Sequence, residues 1–371
     1  MDTFAFKQTS NGDAAHPLGE GQTSAHDFIW IDAFREDIAL NPTLWQEHIF
    51  EQTGCRIDDF HVADILNVQH PSYFDLTHNY EILIFRKLIS QHNGTVTLDP
   101  AALTTAPVGF ILTKNALITV REANSSTFNA IRQRMAQSGD AQRGIRQPHS
   151  SLDLMLRIIN ILVDKYLELR APLSRRIDLW QNLLLQGGHR FNNWSQLLNE
   201  RLALHQLDNL CEEQLDALQE LRDEYLDQAS TSSVHDALPR RDVMMVRIND
   251  LMEHVTRVQN HAARLENALK SAVELHFSAT AHQTNENLRF LAILSAIFGP
   301  LTLLTGIYGM NFDVIPGLHN PNGFWWMMGG MLAVTSGLLF YFRSRRLVGR
   351  GDASVTALLN AANTKDEKLK S

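Results

Sequence analysis

Apolar residues between positions 28 and 122 come in short blocks broken by turn residues. FIWIDAF (28–34), EILIFRKLI (81–89), TVTL (95–98), PVGFIL (107–112) and ALITVRE (116–122) predict strands, with Gly94 and Lys114-Asn115 in the turns between them. Stretches near 42–53 and 59–67 carry a helical pattern. Residues 28–122 therefore predict an α/β or α+β domain. Beyond 123 the strand signal stops. Leu152–Leu185 and Trp194–Ala229 have helical periodicity, with a turn signal at Gly187-Gly188, so 123–237 predicts a helical hairpin region. Residues 1–27 are polar, with Gly12, Pro17, Gly19 and Gly21 and no apolar run. They predict a disordered arm and no secretory signal.

The third helical stretch has a longer period. Pro239 suits a helix start, and Pro300 is the one proline from there to Tyr308. A single helix of about 70 residues, roughly 105 Å long, fits this stretch. Ile248, Leu251, Val255, Val258, Ala262, Leu265, Leu269 and Ala272 follow one another at alternating intervals of 3 and 4. This seam calls for association, either with the chain's own helix pair or with copies of the chain. Residues 238–289 thus read as a stalk.

Two uncharged segments of 19 residues follow, Phe290–Tyr308 and Phe324–Phe342. Each reaches roughly 28 Å as a helix, enough to cross a bilayer core. Tyr308, Trp325, Trp326 and Tyr341 lie at their ends, where interfacial rings belong. The 3–4 spacing runs on into the first span but its chemistry changes. Asn285, Leu288, Ala292, Ser295, Gly299, Thr302 and Gly306 make a stripe that is mostly small or polar. Neighbouring faces carry Phe290, Ile293, Ile297, Leu301 and Leu304. Such a stripe serves either close helix packing or a water-filled path.

Charge sets the orientation. The linker 309–323 has no Lys or Arg and one acid, Asp313; Arg289 precedes the first span, and Arg343, Arg345, Arg346 and Arg350 follow the second. The positive-inside rule then places both termini in the cytoplasm, the linker outside and 343–371 as a basic cytoplasmic tail. Net charge is −8 over 371 residues, which argues against a nucleic-acid partner. Cys55 and Cys211, the two cysteines, form no metal or disulfide framework. No phosphate loop, GxSxG or HExxH occurs, so no enzyme is expected. His61, His70 and His78 share one stretch without ligand spacing. The acids from Glu212 to Asp227 read as a solvated face or a loose cation-attracting surface.

GIYGMNF (306–312), just past the first span, closely resembles the signature of CorA-type divalent cation transporters. NENLRFLAILSAIFGPLTLLTGIYGMN resembles that family's stalk end and first pore helix. IWID (29–32), ILTKNALITVRE (111–122) and INDLMEHVTRVQNH (248–261) resemble other parts of it, so the likeness covers most of 28–346.

The resemblance implies an α+β cytoplasmic domain, a long stalk helix and two C-terminal transmembrane helices, assembled as a funnel-shaped homopentameric channel in the plasma (inner) membrane. First helices would surround the pore and second helices form an outer ring. Gly309, Met310 and Asn311, at the start of the 309–323 loop, would form the selectivity filter. Asn285, Leu288, Leu291, Ser295, Gly299, Thr302 and Gly306 would line the pore of span 290–308, inside span 324–342. A ring of Asn311 carboxamides suits Mg²⁺, which dehydrates reluctantly, because it can bind the ion's water. Leu288 and Leu291 would close an apolar constriction by dewetting. Cytoplasmic Mg²⁺ bound between subunits would hold the pore closed, with Asp250 as its stalk ligand and Asp99 in the region of its partner. No organic cofactor is implied. Gly299 stands where the family often has a bulky apolar residue, and the external loop is poor in acids. Met310 favours the magnesium branch over Co²⁺, Ni²⁺ or a related Zn²⁺ transporter. A membrane-anchored oligomeric scaffold or receptor is the reading from a different class.

Overall fold

The structure is a computed structural model, and it describes residues 2–6, 16–17, 28–89, 103–136, 148–186, 191–231, 238–310 and 320–345. The chain divides into two units: Met1–Asp178 with Asn193–Leu269, and Leu179–Asn192 with Lys270–Ser371.

The first unit is built on a seven-stranded sheet in the order β2-β1-β3-β7-β6-β5-β4. Its strands are β1 Asp2–Phe6, β2 His16–Pro17, β3 Phe28–Phe34, β4 Tyr73–Leu76, β5 Glu81–Leu88, β6 Thr105–Thr113 and β7 Ala116–Arg121. β3 and β7 are parallel, Ile31 opposite Ile118; the other pairs are antiparallel. Every residue of β7 is buried. Its two faces alternate, with Ala116, Ile118 and Val120 on one and Leu117, Thr119 and Arg121 on the other, and both are covered.

One face is covered by α1 Arg35–Leu40, α2 Pro42–Thr53 and α3 Asp59–Leu66. Ile38, Trp45, Ile49, Val62 and Ile65 pack there on Ile31, Ile82, Ile111 and Ile118. The limits of α2 follow from local chemistry. The Asn41 side chain accepts from the Leu44 N–H at 3.1 Å, Pro42 opens the helix, and Gly54 ends it at φ 70°. The other face meets α5 Ser151–Glu168, and α7 Trp194–Thr231 packs on β4 and β5. Tyr166 of α5 and Gln214 of α7 both donate to the Arg86 carbonyl of β5, at 2.8 and 2.9 Å.

Several elements differ from the sequence reading. Residues 2–6 form a strand, β1, between β2 and β3, where a disordered arm is expected. Phe4 stacks on Trp30 at 5.0 Å, a contact that the polar average of residues 1–27 conceals. β4 and α4 Ser126–Ala136 are short elements of 4 and 11 residues. The expected Leu152–Leu185 helix is divided at Leu169 into α5 and α6 Arg170–Gln186, with Pro172 in the first turn of α6. The strand expected at 95–98 and the turn at 187–188 lie outside the described residues.

α8 runs Leu238–Tyr308 as one helix of 71 residues through Pro300. Its seam is satisfied within the chain, since Ile248, Leu251, Val255, Val258, Ala262, Leu269 and Ala272 are buried. In the second unit His276 is buried, and its Nδ1 donates to the Leu184 carbonyl at 2.8 Å. Among the described residues, α9, Gly323–Ser344, and the apolar end of α8 are the two helices long and apolar enough to cross a membrane, and neither apolar window is buried.

Candidate functional site

The membrane-length part of α8 has two unlike sides. Ile293, Ile297, Leu301 and Leu304 are half-buried, and so are Met327, Met331, Thr335, Leu338 and Phe342 on α9. Each set recurs at helical spacing along its own helix. Asn285, Leu288, Ala292, Ser295, Gly299, Thr302 and Gly306 are all exposed. At about 100° per residue this stripe lies roughly opposite the shielded one. The single chain therefore leaves uncovered the side that carries hydroxyls, an amide and bare backbone.

The stripe changes in bulk along its length. Leu288 is 58% exposed and Leu291, beside it, 55%. From Ser295 outward it carries no side chain larger than threonine, and Gly299, Thr302 and Gly306 lie in an open groove flanked by Leu303, Ile307 and Met310. A Cβ built at Gly299 or Gly306 would meet no atom within 4 Å. Thr302 Oγ1 donates to the Phe298 carbonyl at 2.8 Å, leaving its lone pairs turned outward. Leu303 and Ile307 have no place in the sequence reading as groove walls, although each lies four residues from a stripe or groove position.

At its outer end α8 finishes with the Gly309 N–H donating to Thr305 O at 2.9 Å and the Met310 N–H to Ile307 O at 3.3 Å. The last carbonyls of a helix and its macrodipole favour cations. The linker beyond it has no Lys or Arg to oppose them. Asn311 and Asp313 lie outside the described residues, as does Asp99.

Asp250 stands on α8 with its side chain 57% exposed, 3.6 Å from Nε2 of His254. An exposed carboxylate is a hard oxygen donor able to hold Mg²⁺ that keeps several waters. Among the described residues no group of three or more His, Cys, Asp or Glu is placed to hold a metal ion.

The other candidates are not brought together. His61 is buried between the Tyr80 hydroxyl at 2.7 Å and Asp75 at 3.1 Å, while His70 lies 3.6 Å from Asp64. His78 is exposed. Cys55 and Cys211 are free and buried; burial pushes both thiols up, that of Cys211 to about 12. The acids of α7 face solvent for the most part, with Glu213 accepting from the Ser72 N–H at 3.3 Å.

Comparison with known proteins agrees with this layout. The chain is 24% identical over 286 residues to the cobalt/magnesium transport protein CorA of Thermotoga maritima, covering 77% of this chain and 75% of that one. It is 20% identical over 329 residues to the protein of that name from Methanocaldococcus jannaschii, covering 88% and 93%. The complete structure of the CorA magnesium transporter from M. jannaschii superposes with a TM-score of 0.68 at 19% identity, over 92% of this chain and 98% of that one. This likeness establishes the fold: an α+β domain, a long helix and a C-terminal pair of membrane helices. The model of the family described as CorA-like Mg²⁺ transporter protein matches residues 25–346, and the chain belongs to that family.

Proposed function

We propose that this chain forms a homopentameric channel for hydrated divalent cations, Mg²⁺ foremost, in the plasma (inner) membrane with both termini cytoplasmic. The carrying observation is the two-sidedness of α8. Its apolar side is half-shielded and its small, polar side lies opposite, uncovered within the chain. A lipid-facing helix gains nothing from Ser295, Gly299, Thr302 and Gly306 on one line, whereas first helices around a water-filled axis do.

The roles follow from chemistry. Gly309, Met310 and Asn311 form the outer filter, where carboxamides accept hydrogen bonds from the ion's bound water. Thr302 and Gly306 offer oxygens to the hydration shell, and Ser295 and Gly299 keep the path wide. Leu288 and Leu291 form the apolar gate, with Asn285 on its cytoplasmic side. When bound on the stalk, cytoplasmic Mg²⁺ neutralises acids of adjacent subunits. Asp250 supplies one carboxylate there. A cation driven inward by the membrane potential needs such a brake, and a ligand shifts gating only by its differential affinity for the two states.

Flux of a panel of divalent metals into liposomes, with and without a membrane potential, tests the reading. Mg²⁺ uptake should rise with an inside-negative potential. Asn311→Ala should abolish uptake in an intact oligomer. Hexaamminecobalt(III), an inert mimic of a hydrated cation, should block from outside. Near wild-type flux in an assembled Asn311→Ala protein would sink the filter assignment.

A further inference from the structure

Asp153, in the first turn of α5, lies beside the stalk. Its side chain is fully buried. The Ser150 side chain caps this turn by accepting from the Asp153 N–H at 3.1 Å. The Asp153 carboxylate accepts from the His149 N–H at 3.0 Å, from Arg157 Nε and Nη2 at 3.2 and 3.1 Å, and from Arg247 Nη1. Arg247 comes from α8, three residues before Asp250. On a helix that spacing allows an ion pair. Among the described residues Arg247 pairs with Asp153 instead, and Asp250 has only His254 near it, at 3.6 Å.

The choice of partner has a physical cause. A buried carboxylate attracts a guanidinium through a lower dielectric than an exposed one, and leaving it unpaired is costly. Asp153 therefore draws the Arg247 charge off the exposed stalk face.

We propose that Asp153 is a positioning residue for cytoplasmic regulation: by holding Arg247 it keeps the Asp250 carboxylate open to a hydrated divalent cation. The proposal rests on the reading of Asp250 given above. With Asp153 neutralised, Arg247 is released to fold back on Asp250 one turn away. A cation must then displace an intrahelical ion pair before it binds. Intrahelical pairs are weak, so the effect on the effective cation concentration is about twofold or somewhat more.

The test uses the full chain and two readouts: the Mg²⁺ concentration giving half-maximal thermal stabilisation in detergent, and that giving half-maximal inhibition of flux in liposomes. Asp153→Asn should raise both by about twofold or more. Asp153→Asn with Arg247→Gln should return both to the wild-type values, because the competing charge is gone. Arg247→Gln alone should leave them unchanged. A loss that the second substitution does not rescue would mean that Asp153 only holds α5 in place, and it overturns the proposal. If Asp153→Asn does not assemble, Arg247→Lys against Arg247→Gln decides. The shorter ammonium holds Asp153 less well and should raise both concentrations, so identical curves for the two variants also overturn it. Asp250→Ala is run beside them. Wild-type curves there defeat the underlying regulatory reading. A shift there with no change in Asp153→Asn defeats the Asp153 proposal alone.

Discussion

Gly299 and Asp32 show how differently a single residue acts in the two units. A side chain at 299 meets no atom of its own chain within 4 Å, so Gly299→Met should leave expression and thermal stability near wild type. It would place an apolar ring in a segment otherwise free of side chains larger than threonine. Mg²⁺ flux should fall severalfold by dewetting, while Gly299→Ser should retain it. Equal flux in the two variants would remove Gly299 from the pore wall. Asp32 is the opposite case, fully buried and bonded to Arg121 Nη2 at 2.8 Å, Arg121 Nε at 3.0 Å and Thr119 Oγ1 at 2.9 Å. Phe34 and Phe128 flank the Arg121 guanidinium at 4.9 Å, but rings do not neutralise a charge. Asp32→Ala leaves that cation buried and unpaired, a loss of about 3–5 kcal/mol. Denaturant unfolding followed by the buried Trp30 should report it; a loss below about 1 kcal/mol would show that water or another acid reaches Arg121.

At the scale of elements, α8 has two seams with different fates. Its stalk seam is filled by the chain itself, with Leu251 2% and Val255 1% exposed. Leu251→Ala should therefore cost about 2–5 kcal/mol of stability while the oligomer keeps its mass in light scattering. Dissociation without loss of stability would place the seam between copies instead. The 3–4 spacing of Ile248 to Ala272 was legible in the sequence, but it could not tell whether its own chain or a copy fills the seam, because both use the same knobs and holes. In the membrane half the stripe of Ser295, Gly299, Thr302 and Gly306 was legible as a pattern, but small residues serve close helix packing as well as a water-filled path, so its role was not. Short elements escaped the sequence. β1 owes its place to Phe4 on Trp30, and α4 buries only a short pair, Phe128 and Ile131, so distant partners decide both. The Asp153–Arg247 pair escaped for the same reason, since the residues lie 94 positions apart and no local pattern joins them.

For the whole molecule the decisive question is which side of the membrane each charge occupies. The linker 309–323 has no Lys or Arg, whereas Arg289, Arg343, Arg345, Arg346 and Arg350 lie beyond the two spans. Holding those arginines in the cytoplasm puts the linker outside. Pro321 and Ser344, at opposite ends of α9, are both exposed and serve as reporters. The native cysteines give a quiet background. Cys55 and Cys211 are buried, and burial raises both thiols, so the reactive thiolate is scarce near neutral pH. In sealed cells a membrane-impermeant maleimide should label Pro321→Cys and leave both Ser344→Cys and the parent chain unlabelled. Permeabilised cells should label Ser344→Cys as well. Labelling of Ser344→Cys alone in sealed cells would invert the orientation and put the basic tail outside. Equal labelling of both would mean that α9 does not cross the bilayer, and the pore geometry drawn from α8 would lose its outer wall.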